Sequence, residues 1–105
     1  MPAKVVVPTA VEAEIVAIGD YVAEDNTGAA MALMERLRDR CFSLETFPNR
    51  GAPYGEHHRM LVEGEYLIFY RVSEEEDAVT VIIVAIVHGA RDVSSLLQRE
   101  EREDE

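Results

Sequence analysis

Five side chains in the second half of this 105-residue chain have the chemistry to handle a phosphodiester or an anionic protein surface: Arg59, Tyr70, Arg71, His88 and Arg91. Cutting RNA at a ribose 2′-hydroxyl needs a base, an acid for the leaving oxygen, and cations where charge builds on the phosphate. His88 titrates in the useful range, the arginines supply the charge, and Glu56 or Glu63 offers an optional carboxylate. Each residue also has a plainer use. Arg59 and Arg71 can pair with surrounding carboxylates, His88 can end an apolar strand as a hydrogen-bonded structural residue, and Tyr70 is first a strand aromatic. Strand alternation puts Tyr70 and Arg71 on opposite faces, so at least one of them is off any shared site. Antiparallel pairing sets the start of one strand beside the end of its neighbour, and on that basis Arg59, one of Tyr70 and Arg71, and His88 with Arg91 are expected to converge.

Other reactive types carry less. His57 and His58 are adjacent, so on a strand they point apart, and no third ligand stands at metal spacing; no metal and no cofactor is expected. Cys41 is the single cysteine and falls on a helical apolar stripe, which predicts a small core residue. FPNRGAPYG, residues 47–55, holds two prolines and two glycines and reads as a turn-rich connection. It lacks the strand-to-helix context of a phosphate-binding loop.

The elements that must position these groups follow from periodicity. KVVVP predicts a short first strand. Thr9 and Glu12 have the spacing of a capping box, which predicts a helix from there to about Glu24 with Val11, Ile15, Ile18 and Val22 on its buried stripe. Thr27 is placed to cap a second helix over about 28–45, with Ala30, Leu33, Met34, Leu37, Cys41 and Leu44 on the stripe. HRMLV, YLIFYRV and VTVIIVAIVH then predict three strands, joined by tight turns near Gly64 and at Ser73 to Asp77 and therefore antiparallel. Asp92 and Ser94 can cap a short last helix through Leu97. The fold class is α+β: two layers in the order β-α-α-β-β-β, with a helical hairpin on one face of a mostly antiparallel, four-stranded sheet. Residues 1–97 form one domain and 98–105 an acidic, disordered tail. The last strand is apolar on both parities, so its second face needs cover from sheet curling, from the SSLL segment, or from a partner.

Charge narrows the function. Ten basic residues oppose 21 acidic ones, a net charge of −11, and Lys4 is the only lysine. Such a chain is repelled from phosphate backbones at long range, and no direct DNA binding by the chain alone is expected. No signal-peptide pattern and no apolar run near ~18 residues occurs. A cytoplasmic protein with no membrane partner is the expectation.

Taken in order, FPNRG, Arg59, YLIFYRV and HGARD resemble the ParE/RelE toxin superfamily, and the closing His-Gly-Ala-Arg-Asp places the likeness in the ParE branch. The resemblance spans roughly residues 4–97. It implies the toxin of a bacterial type II toxin–antitoxin system that inhibits DNA gyrase by binding it, breaks no bonds, and is held inactive in a hetero-oligomer with a cognate antitoxin. The target-binding residues it implies are Arg59, Tyr70, His88 and Arg91. Two alternatives stand beside it. One is a RelE-like endoribonuclease acting on ribosome-bound mRNA through Arg59, Arg71 and His88, which the charge and the single lysine disfavour; the other is an interaction module without toxicity.

Overall fold

The computed structural model describes residues 2–89. Its elements are β1 (Lys4–Val6), α1 (Thr9–Ala23), α2 (Thr27–Phe42), a 3-10 turn (Ser43–Glu45), β2 (Ala52–Tyr54), β3 (His58–Glu63), β4 (Tyr66–Glu75) and β5 (Ala78–His88). The sheet order is β1-β5-β4-β3-β2, with β1 parallel to β5 and every other pair antiparallel. This is the expected α+β, ParE/RelE-like arrangement of a helical hairpin on a mostly antiparallel sheet. It has one strand more than expected: β2 lies inside the 47–55 connection, where Ala52 and Tyr54 pair with Met60 and His58. Pro53 is tolerated there because β2 is an edge, where a missing N–H costs no ladder bond. The predicted helix through Leu97 and the 98–105 tail lie outside the described residues.

Both helix starts differ from the capping pattern. Pro8 occupies the N-cap of α1 with no side-chain cap, and its carbonyl takes the N–H groups of Val11 and Glu12. Glu12 is drawn instead to α2, where Arg38 Nε donates to Oε1 at 2.9 Å and Nη2 binds the same oxygen. An ion pair between helices outcompetes a reach back to the backbone. In α2 the cap is Asn26, one residue before Thr27, with Oδ1 accepting from Ala29 N at 2.9 Å. The helix stops at Phe42, not Glu45, and tightens to 3-10 as Ser43 Oγ donates to Arg40 O at 2.6 Å.

The two helices meet at Gly19, where an added Cβ would overlap Met34 Sδ and lie 2.8 and 2.9 Å from its Cγ and Cε. Their buried stripe (Val11, Ile15, Leu33, Leu37, Cys41) packs with Leu61, Ile68, Tyr70, Val81, Ile83 and Ile86 into the main core. A β-bulge decides which strand residues join it. Phe69 faces Ala85, but Tyr70 faces Ile83, so one residue of β5 is skipped and its parity switches. Val81 and Ile83 therefore share the helix face with Ile86. Ala85 and Val87 turn to the other face, where with Phe69 they form a second buried cluster flanked by Tyr54, Met60, Leu67 and Val84. This resolves the double-parity reading of β5: Phe69, Ala85 and Val87 are buried within the chain itself and need no partner to cover them.

Candidate functional site

Two polar groups that were candidates for chemistry are turned inward to grip a loop. Arg59 on β3 and Tyr70 on β4 are direct cross-strand partners, so both face the helix side. Tyr70 is fully buried (0% exposed), and its hydroxyl accepts from Gly51 N at 2.8 Å. Arg59 Nη1 donates to Gly51 O at 2.8 Å and to Asn49 O at 3.1 Å. Gly51 fits only without a side chain: a Cβ would stand 2.7 Å from Tyr70 Oη and 2.9 Å from Met60 O. The bracket thus fixes the carboxyl end of FPNRG against the sheet. Burial pushes the Tyr70 phenol above its ordinary value, and the Gly51 N–H with the charges of Arg59 and Arg50 offsets only part of that. Such a phenol is a poor base near neutrality.

His88 stands elsewhere. It pairs with Tyr66 at the start of β4, whereas Arg59 pairs with Tyr70 four residues along the same strand. At ~3.3 Å per residue the two levels are roughly 13 Å apart, and one group hangs from β3 while the other hangs from β5. The expected convergence of Arg59 and His88 does not occur. The end of β5 lies beside the start of β4, not beside the start of β3. Around His88 the structure builds a different cluster: the Tyr66 ring is edge-on at 5.5 Å, Glu65 Oε2 is 3.6 Å from Nε2, and Gly89 N donates to Glu65 O at 2.8 Å.

The remaining candidates are dispersed. Arg71 pairs with Ile82 on the face opposite Tyr70, as alternation required. Glu63 is held by Arg40 at 3.5 Å and Arg36 at 3.9 Å, and Glu56 lies on the turn beside His57 at 3.7 Å. His58 is buried and His57 exposed, and among the described residues no three His, Cys, Asp or Glu are grouped to hold a metal. Burial drives the Cys41 thiol up to about 12, which leaves it protonated and inert. Arg91 lies outside the described residues.

A groove that the sequence did not reveal opens next to His88. Its volume is about 950 Å³, and Glu14, Ile18 and Tyr21 of α1 face Tyr66, Ile86 and His88 across it. It exists because β1 covers β5 only from Thr80 to Ile82. Among the described residues no strand lies along the outer edge of β5 beyond that point, and Glu14 Oε2 reaches over to accept from Ile86 N at 3.4 Å. A carboxylate over an open strand edge discourages unwanted pairing. The short reach of β1 leaves this part of β5 uncovered among the described residues, and three residues of strand carry no length signal in the sequence.

The geometry therefore shows a clamped turn at the middle of β4 and a groove lined by Glu14, Tyr21 and Tyr66 at its start, and among the described residues Arg59 and His88 are not gathered on one point. Comparison with known proteins agrees with the fold. Residues 5–93 match the family described as the ParE toxin of the type II toxin–antitoxin system, parDE. The chain belongs to the ParE toxin family. No curated protein matches it. As a ParE toxin it comes from a two-component system, and an antitoxin partner comes with the family. Arg59, Tyr70, His88 and Arg91 all lie within the matched span. Among the described residues of this ParE toxin, no helix is long and apolar enough to cross a membrane.

Proposed function

We propose that this toxin acts by binding DNA gyrase, performs no RNA cleavage, and is neutralised by a cognate antitoxin in the cytoplasm. One observation carries the choice: Arg59 and Tyr70, two of the groups a nuclease would need, are committed to backbone atoms of residues 49–51, while His88 sits roughly 13 Å along the sheet. A general base must come within hydrogen-bond reach of the proton it removes, with the stabilising cation at the same phosphate. The net charge of −11 argues in the same direction, because RNA binding would have to overcome it. Arg59 and Tyr70 serve target binding by holding the loop in place, and His88 and Arg91 serve it by contact.

The antitoxin docks in the groove between α1 and the end of β5, as a helix against Ile18 and Tyr21, as a strand added to the open β5 edge, or both. Ile18, Tyr21, Tyr66 and Ile86 line that groove, so the pairing rests mainly on apolar burial, or else the antitoxin carries basic residues to match a net charge of −11. The test is a supercoiling assay with purified gyrase. Inhibition by the toxin, relieved by equimolar antitoxin, is the expected result. Cleavage of ribosome-bound mRNA with gyrase unaffected would overturn the proposal.

A further inference from the structure

The clamp on Gly51 leaves open what the clamped turn is for. Residues 47–50 form a turn closed by Arg50 N donating to Phe47 O at 3.2 Å. The turn buries little of itself, and Phe47 is 62% exposed. Yet three hydrogen bonds from the sheet immobilise its base, one of them to a phenol with no solvent exposure. An exposed aromatic gains nothing for folding, whereas a rigid one loses little entropy on meeting a partner.

Arg50 adds a second, independent observation. In this acidic chain the other described arginines are occupied: Arg36 and Arg40 by Glu63, Arg38 by Glu12, Arg59 by two carbonyls, and Arg71 by a further contact. Arg50 is exposed, and among the described residues its side chain alone of the arginines has no hydrogen bond or ion pair. An aromatic and an unpaired arginine, three residues apart on one anchored turn, are the two side-chain types that most often carry protein–protein binding energy.

We propose that the Phe47–Arg50 turn is a further contact, beside His88 and Arg91, by which this toxin engages its protein target: Phe47 enters an apolar recess and Arg50 pairs with a carboxylate at its rim. This rests on the reading that the toxin works through protein binding. Nucleic acid is the poorer fit, since one cation in a chain of net charge −11 neutralises a single phosphate.

The experiment measures binding of the full chain to purified gyrase, together with growth arrest on induction, for Phe47→Ala, Arg50→Glu and Arg50→Lys. Met31→Ala, which truncates an equally exposed apolar residue on α2, is the control. Phe47→Ala and Arg50→Glu should each weaken binding about tenfold or more and relieve the arrest, Arg50→Lys should keep most of both, and Met31→Ala should change neither. Melting curves that overlay the parent's show that the fold is intact. If Phe47→Ala and Arg50→Glu bind gyrase and arrest growth like the parent, the turn is not a contact. If the parent arrests growth without binding gyrase and those two variants do not arrest it, the gyrase reading fails and the turn stands. If the parent does neither, both fail.

Discussion

Removing one oxygen atom tests the clamp. In Tyr70→Phe the ring keeps its place in the core, but Gly51 N loses the acceptor it holds at 2.8 Å. Gly51 is buried and its neighbourhood has no room for a new group, with Met60 O already 2.9 Å from the position of a Cβ. A buried N–H left without a partner costs about 1–3 kcal/mol. For a domain of this size each kcal/mol lowers Tm by about 4 °C, so the variant should melt roughly 4–12 °C below the parent at pH 7. Arg59→Ala removes the two bonds to Asn49 O and Gly51 O and should cost a similar amount, more than an ordinary surface charge. Both residues hold the same loop, so the double variant should be less destabilised than the sum, with a coupling of about 0.5 kcal/mol or more. Thermal unfolding followed by circular dichroism supplies the cycle, and hydrogen exchange at the Gly51 amide supplies the local readout. Tyr70→Phe melting within about 0.5 kcal/mol of the parent, with the Gly51 amide still protected, would refute the clamp.

Three further outcomes follow from the packing. Gly19→Ala sets the ~1 kcal/mol that alanine gains in a helix against moving the Met34 side chain aside, so Gly19→Ala should be more stabilising in a Met34→Ala background than in the parent, as denaturant titration will show. Ile83→Ala, at a fully buried site of the main core, should cost about 2–5 kcal/mol in the same titration. Cys41 makes alkaline stability diagnostic. Its thiol titrates near 9 when unfolded and at about 12 when folded, so stability is intact below pH 9 and falls by up to about 1.4 kcal/mol per pH unit as pH climbs toward 12. The raised phenols of Tyr66 and Tyr70 act in the same direction above pH 10, and Cys41→Ala should make the fall between pH 9 and 10 shallower.

What the sequence determined by itself is whatever one segment can encode. The stripes Val11–Ile15 and Ala30–Leu33–Leu37–Cys41 are set by the 3.6-residue period, and the antiparallel run of β3, β4 and β5 follows from connections too short for a crossover. The opposite faces of Tyr70 and Arg71 follow from strand alternation, and the ordered FPNRG, YLIFYRV and HGARD set pointed to the family. Tertiary structure decided the rest, because each remaining feature joins segments distant in the chain. Glu12 leaves its cap for Arg38, 26 residues on, where a charged partner is stronger than a backbone N–H. The Phe69/Tyr70 bulge switches the parity of β5, which an apolar run on both faces left undetermined. Register alone separated Arg59 from His88, since a hydrophobic pattern tells which face a residue takes but not how far along a neighbour it sits. Arg59 and Tyr70 were legible as polar groups on strands. That they close on the backbone of Gly51 depends on a loop whose path no local propensity dictates, and only the folded sheet, with one glycine-sized gap in it, puts that backbone within reach.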